Sequence, residues 1–278
     1  MLEQAFRNLK WDKKGLKVNG EYLNNLRFAD DIVLLGRNLQ ELKEMILELS
    51  RECSGIGLTI NVAKTKIMSS DESVVGIQTD NLAISKVSEY TYLGQRISME
   101  NKMNTEIGVR IANGWKAFWA QKHIFKSKMK ISTKVRVLQS CVIPVLTYGA
   151  QTWAMTKKNI TRLKATQYSM LRSILGISLK DKVRKEEIRK KTKMVDIGYK
   201  IKKLKFKFAG HMAREGTRKW GYRLSVWTPY ESKRKRGRPP IRWRDELVAR
   251  VGTGWMGVAQ NRARWKRVVE TNAQNWAG

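Results

Sequence analysis

Along the first hundred residues, apolar side chains recur with two different periods. Leu39, Leu42, Ile46, Leu49 and Cys53 keep helical spacing. Asn38 stands before them as an N-cap, and Gly55 and Gly57 follow as stops, so a helix is predicted between those marks. Leu2, Ala5, Phe6 and Leu9 share one face of a short helix over residues 1–10. Elsewhere the runs are short and branched. Leu16 and Val18 alternate between the turn residues Gly15, Asn19 and Gly20, which predicts a small hairpin. Leu26-Arg27-Phe28 and Ile32-Val33-Leu34-Leu35 flank Asp30-Asp31, which reads as two strands joined at a tight turn. Residues 57–61 (Gly-Leu-Thr-Ile-Asn) read as a further strand, residues 69–86 as an edge hairpin or loop, and residues 90–97 as another strand or hairpin. The expected fold class is α+β, with a hydrophobic helix packed on an antiparallel sheet, followed by helices.

From residue 102 the period becomes helical throughout. Ile107, Ile111, Trp115, Phe118 and Trp119 form one apolar face. Ser132 can cap a second helix through Val135, Leu138 and Val142, ended or kinked at Pro144. A third carries Ile160, Leu163, Gln167, Met170, Ile174 and Leu175, and closes at Gly176. A short charged helix covers about 182–193, and another runs from Ile197 through Ile201 and Leu204 to Phe208. On its flank lie Lys200, Lys203, Lys207, His211 and Arg214, a stripe that reads either as a solvated face or as a surface that tracks phosphates. Residues 216–240 are loop-like, and two short helices end the chain. Six of the ten tryptophans lie beyond residue 219. Trp243, Trp255 and Trp265 could stack on bases, but core packing of a small helical unit is the simpler expectation. The predicted domains are 1–100, 101–215 and 216–278.

Charge sharpens this division. The 278-residue chain carries 56 Lys and Arg against 24 Asp and Glu, a net +32. Residues 1–100 hold 13 basic and 14 acidic side chains, whereas residues 101–278 hold 43 and 10. The whole excess therefore sits in the helical part, and such a field selects polyanions, nucleic acid first. An anionic membrane surface is poorly supported, because the basic helices keep no broad apolar face for lipid. No run is long and apolar enough to span a bilayer, so no membrane partner is expected. Two cysteines, Cys53 and Cys141, and two histidines cannot build a zinc finger or a disulfide framework, which points to a reducing compartment.

Asp30 and Asp31 are the candidate chemistry. Paired carboxylates in an apolar setting are costly unless a cation binds them, and a hard divalent ion such as Mg²⁺ suits them. Order then adds weight. Phe28-Ala29-Asp30-Asp31 is followed by an amphipathic helix, by Gly-Leu-Thr-Ile-Asn with Lys64-Thr65-Lys66, and by Tyr92-Leu93-Gly94. Farther on come Gly149-Ala150-Gln151-Thr152-Trp153, Gly210-His211-Met212 and Arg236-Gly237-Arg238-Pro239. This succession resembles the reverse transcriptases of non-LTR retrotransposons, and among them the RTE-like elements, across nearly the whole chain.

The resemblance implies particular roles. Asp30 matches the ligand of catalytic Mg²⁺, and Asp31 its auxiliary neighbour. Phe28 and Ala29 match residues beside the primer terminus. Lys64, ahead of Lys66, matches the basic group that serves the departing pyrophosphate. Residues 1–100 match the C-terminal part of a polymerase palm, with Tyr92, Leu93 and Gly94 as its primer grip, and residues from about 102 to 215 a thumb that holds template–primer, RNA and DNA, through its phosphates. In that family a second metal-binding Asp lies on an earlier strand, before the segment matching residues 1–10. With one carboxylate strand the two-metal site stays open, and the expected behaviour is nucleic-acid binding without synthesis.

Residues 233–240 hold three readings: a nuclear localisation signal, an AT-hook placing Arg236 and Arg238 in a narrow A/T-rich minor groove, or a solvated basic linker. The nucleus is favoured over the cytoplasm. The alternative function is an element-derived, stand-alone DNA- or RNA-binding protein that uses only the basic second part.

Overall fold

The structure is a computed structural model that describes residues 2–79, 82–99, 103–228 and 241–274. It forms two compact units, Met1–Asn101 with Val226–Thr228, and Lys102–Ser225 with Pro229–Gly278.

The first unit begins with α1 (Leu2–Asn8), β1 (Leu16–Val18), β2 (Glu21–Leu23), β3 (Asn25–Phe28), β4 (Asp31–Leu34) and α2 (Leu39–Ser54). It continues with β5 (Gly76–Thr79), β6 (Leu82–Ser85), β7 (Glu89–Tyr92) and β8 (Gln95–Ser98). The strands pair as four antiparallel ribbons, β1 with β2, β3 with β4, β5 with β6 and β7 with β8. A single antiparallel sheet was expected; among the described residues the ribbons stay separate. Two of the turns show why hairpins form here. Asn19 and Gly20 take φ of 49° and 91°, and Leu93 and Gly94 take 47° and 73°. Left-handed backbone at both central residues gives the twist that a two-residue hairpin turn needs. Among the described residues the predicted strand at 57–61 joins no ladder. Asn61 instead accepts the Lys64 N–H on its side chain at 3.1 Å and the Thr65 N–H on its carbonyl at 3.0 Å, which coils the chain into a turn.

α2 is the axle of this unit. Asn38 caps it as expected, its side chain accepting the Glu41 N–H at 2.8 Å. Met45, Leu49 and Cys53 bury against Ala5 and Trp11, with Ile32 and Leu34 of β4 beside them. Ile46 faces the other way, onto Ile67, Val74, Ile77, Leu82 and Ile84. Each such side chain contributes roughly 1.5–3 kcal/mol on burial. The Trp11 indole and the Lys14 ammonium both donate to Glu48, at 2.6 and 2.7 Å. The Lys14 hydrogen bond, ahead of the opposing effect of burial, holds the Glu48 carboxyl below its usual range.

The second unit is helical: α3 (Met103–Ala120), α4 (Lys122–Phe125), α5 (Ile131–Val137), α6 (Ile143–Leu146), α7 (Lys157–Leu175), α8 (Lys185–Thr192), α9 (Ile197–Glu215), α10 (Trp220–Val226), α11 (Asp245–Val251), α12 (Trp255–Gln260) and α13 (Arg262–Gln274). Ser132, the expected cap, lies inside the first turn of α5, and Lys130 holds the N-cap position. Pro144 does not end its helix. A π-turn over Leu138–Val142 joins α5 to α6, and this widening relieves the clash of the proline ring with the preceding turn. One core gathers α3 through the start of α9 around Phe118, Leu138, Trp153, Leu163 and Met170. A second core sets the far half of α9 (Phe206, Ala209, Met212, Ala213) against Leu247, Trp255, Ala259, Trp265 and Val269. Trp255 and Trp265 are thus interior, and the Trp265 indole donates to the Phe206 carbonyl at 2.8 Å.

Candidate functional site

The β3–β4 ribbon carries the carboxylates. Its last cross-strand pair is Phe28 with Asp31, so Ala29 and Asp30 are the two turn residues. Ala29 takes φ of 52°, a left-handed conformation that costs a residue with a Cβ about 1–2 kcal/mol. Asp30 and Asp31 are both exposed, at the tip rather than in a helix or a core. Cross-strand partners share a face. Arg27, Ile32 and Leu34 therefore lie on one side, where Ile32 and Leu34 pack on the α2 core. Arg27 reaches α1, bonding Glu3 at 2.9 Å and covering the Phe6 ring at 4.5 Å. Leu26, Phe28, Asp31 and Val33 share the other side, where the Phe28 ring is 62% exposed. One side thus anchors the ribbon, while the opposite side keeps an aromatic ring and a carboxylate open to solvent.

Two other motifs singled out in the sequence are tied to each other, and one of them feels the charge of Asp31. Burial and, second to it, the charge of Asp31 hold the Tyr92 phenol above its usual value, so the charge of the tip reaches the β7–β8 ribbon. On the same ribbon the Tyr90 hydroxyl donates to the Lys64 carbonyl at 3.2 Å, tying in the turn that bears Lys64. The Lys64 side chain is exposed, whereas Lys66 donates to the Ser85 hydroxyl at 3.1 Å. Leu93 and Gly94 are the turn residues of that ribbon.

Carboxylate oxygens are the donors a divalent ion takes. However, among the described residues no group of three or more His, Cys, Asp or Glu comes together to hold one. Two metal ions about 3.5–4 Å apart need more carboxylates than this tip supplies. The described residues do not fit a closed two-metal centre.

In the helical unit, the lysines expected to form one stripe divide. Lys207 and His211 are exposed, while Lys200 and Lys203 are half-buried on α9. Burial holds the Lys200 ammonium below the usual lysine value, and the Lys203 ammonium lies 5.7 Å from the Tyr199 ring. Two lysines that were not singled out are interior: Lys202 is 4% exposed and Lys205 1%. Lys205 donates to Glu246 at 2.9 Å and to the Trp153 carbonyl at 3.3 Å. Burial, helped by Arg250, pushes the Lys202 ammonium down to about 8. Their signal was the spacing Gly198, Lys202, Lys205, Ala209, Met212, a helical stripe that coincides with the buried face. Arg236 and Arg238, with the whole of 233–240, lie outside the described residues. No described helix is long and apolar enough to cross a membrane.

A turn bearing paired carboxylates, with an aromatic ribbon on the same unit, is followed along the chain by a basic helical unit. Residues 2–97 match the family of reverse transcriptases, RNA-dependent DNA polymerases that generally use a divalent metal. Over 278 aligned residues the chain is 34% identical to an uncharacterized transposon-derived protein of Caenorhabditis elegans, covering 94% of this chain and all of that one. The chain belongs to the reverse transcriptases of retrotransposons.

Proposed function

We propose that this chain grips template–primer, RNA and DNA together, and that as it stands it does not extend a primer. The observation that carries the reading is the exposed Asp30–Asp31 tip, whose charge acts on Tyr92, in a chain whose residues 101–278 carry a net +33. An RTE-like element is the source that its motif order favours. Asp30 would be the principal ligand for Mg²⁺ and Asp31 the auxiliary one if a carboxylate from a second strand completed the set. Phe28 and Ala29 border the primer terminus, Tyr92-Leu93-Gly94 supports the primer strand, and Lys64 offers positive charge toward the leaving phosphate. Lys200, Lys203 and Lys207 contact backbone phosphates, with Lys207 the most accessible. Arg236 and Arg238 add contact with A/T-rich duplex, and the four successive basic residues at 233–236 direct the chain to the nucleus.

The test is a primer-extension assay on RNA and DNA templates with Mg²⁺ or Mn²⁺, run beside a gel-shift on the same substrate. A shifted band without extension is expected, and processive synthesis would overturn the reading. The second reading, a nucleic-acid-binding protein that uses only its basic part, draws on the charge asymmetry. It is favoured if affinity is unchanged when residues 1–101 are removed.

A further inference from the structure

From residue 107 to residue 180 the chain contains 14 Lys and Arg and not one Asp or Glu. Within that acid-free run, at the end of α3, stands an aromatic ladder that the fold leaves partly open. Phe125 stacks on Phe118 with centroids 4.4 Å apart, and both rings are buried. Phe118 meets Trp119 edge to face at 5.2 Å, and Trp119 stacks on Trp115 at 6.0 Å with planes 20° apart. The ladder thus leads from the core to the surface, where Trp119 is 47% exposed. Two neighbouring rings fix that indole, so presenting it needs no ordering when a ligand arrives. The segment that follows exposes a run of lysines, with Met129 and Ile131 exposed among them. Lys116 lies one turn earlier on α3, Lys122 opens α4 three residues later, and Lys126, Lys128 and Lys130 follow.

An exposed indole is often incidental, and a lysine-rich surface is often only solvated. The combination here is narrower: a π-face held by two neighbouring rings, with exposed lysines before and after it in a segment that holds no carboxylate to repel phosphate. Lipid would need a broad apolar face, and an acidic protein would leave the ring without a specific partner. An unpaired nucleic-acid strand offers both a base to stack and a backbone to neutralise.

We infer that Trp119, with Lys116 and Lys122 beside it, forms a stacking platform for a base of single-stranded nucleic acid, such as the unpaired template beyond a primer. The inference rests on the template–primer reading and adds a site to it. A duplex hides its base faces, so the platform discriminates between strands where phosphate contacts alone do not.

The test uses the full chain and fluorescence anisotropy with a labelled 20-nucleotide oligothymidylate and a blunt duplex of equal length. W119A is expected to weaken single-strand binding roughly 5- to 100-fold. Duplex binding should stay within about twofold, and W119F should recover most of the loss. Wild-type protein cross-linked to an oligonucleotide carrying 5-iodouracil gives a second readout that needs no variant. The adduct is expected in the peptide 117–122, which lysines bound on both sides. Equal losses on single strand and duplex, no loss at all, or adducts only elsewhere would overturn the platform while leaving nucleic-acid binding in place. Wild-type protein that binds neither probe would remove the template–primer reading itself.

Discussion

Gly210 sits in α9 where a Cβ would lie well inside van der Waals contact distance of Nε1 and Cδ1 of Trp265. That indole is 3% exposed, stacks on Phe206 at 6.0 Å and donates to the Phe206 carbonyl. Alanine at 210 has two opposed effects. Replacing glycine in a helix interior gains about 1 kcal/mol. Against this, overpacking a closed site costs about 1–3 kcal/mol, and displacing the indole loses a hydrogen bond worth about 1 kcal/mol. The clash wins, and G210A is expected to be less stable by roughly 1–3 kcal/mol. Gly257 provides the control in the same helical region. It lies within α12, and nothing stands within 4 Å of its would-be Cβ. G257A should therefore stabilise by about 0.5–1 kcal/mol. Urea unfolding followed by tryptophan fluorescence would give both midpoints, compared at equal slope. Opposite shifts are expected. A G210A protein as stable as wild type would mean that Trp265 does not seat against α9, and the second helical core would have to be redrawn.

Other consequences follow from charge. Because Asp31 adds to the effect of burial on Tyr92, D31N should lower the titration point of that phenol without returning it to the ordinary value. Tyrosine ζ-carbon NMR would read this, and an unmoved Tyr92 signal would separate the two motifs. Lys202, lowered to about 8 by burial, holds fewer protons folded than unfolded between about 8 and the ordinary 10.5. Its contribution to stability therefore rises with pH across that window. The urea midpoint of wild type should climb relative to that of K202M between pH 7.5 and pH 10, and a constant gap would refute the burial of that ammonium.

Much of this architecture could be read from the linear pattern because it is set locally. Asn19-Gly20 dictates one hairpin turn, and Asn38 with the spacing from Leu39 to Cys53 dictates α2. The Asp30–Asp31 tip followed from two short apolar runs and the carboxylates between them. What escaped depends on partners distant in sequence. Residues 57–61 have the composition of a strand, but a strand needs a neighbour, and Asn61 turns the chain away first. Lys202 and Lys205 looked like surface residues because charge masked their place on the buried stripe. The carboxylate that lets Lys205 stay inside, Glu246, comes 41 residues later. Equally, no local signal says that helices beyond residue 241 close onto the far half of α9. Trp119 was grouped with the apolar face of α3. Helical spacing gave it the right neighbours, while its open face depends on which elements pack over that end.

The most direct measurement of the central idea is the salt dependence of template–primer affinity, taken for wild type and for the triple variant K200Q/K203Q/K207Q. If phosphates are gripped by this part of α9, log K should fall linearly with log salt, with a slope of roughly −0.9 for each phosphate neutralised. The triple variant should bind more weakly and show a slope less negative by about 1–3. A wild type with no measurable affinity near 0.1 M salt, or a slope that the three substitutions leave unchanged, would contradict it.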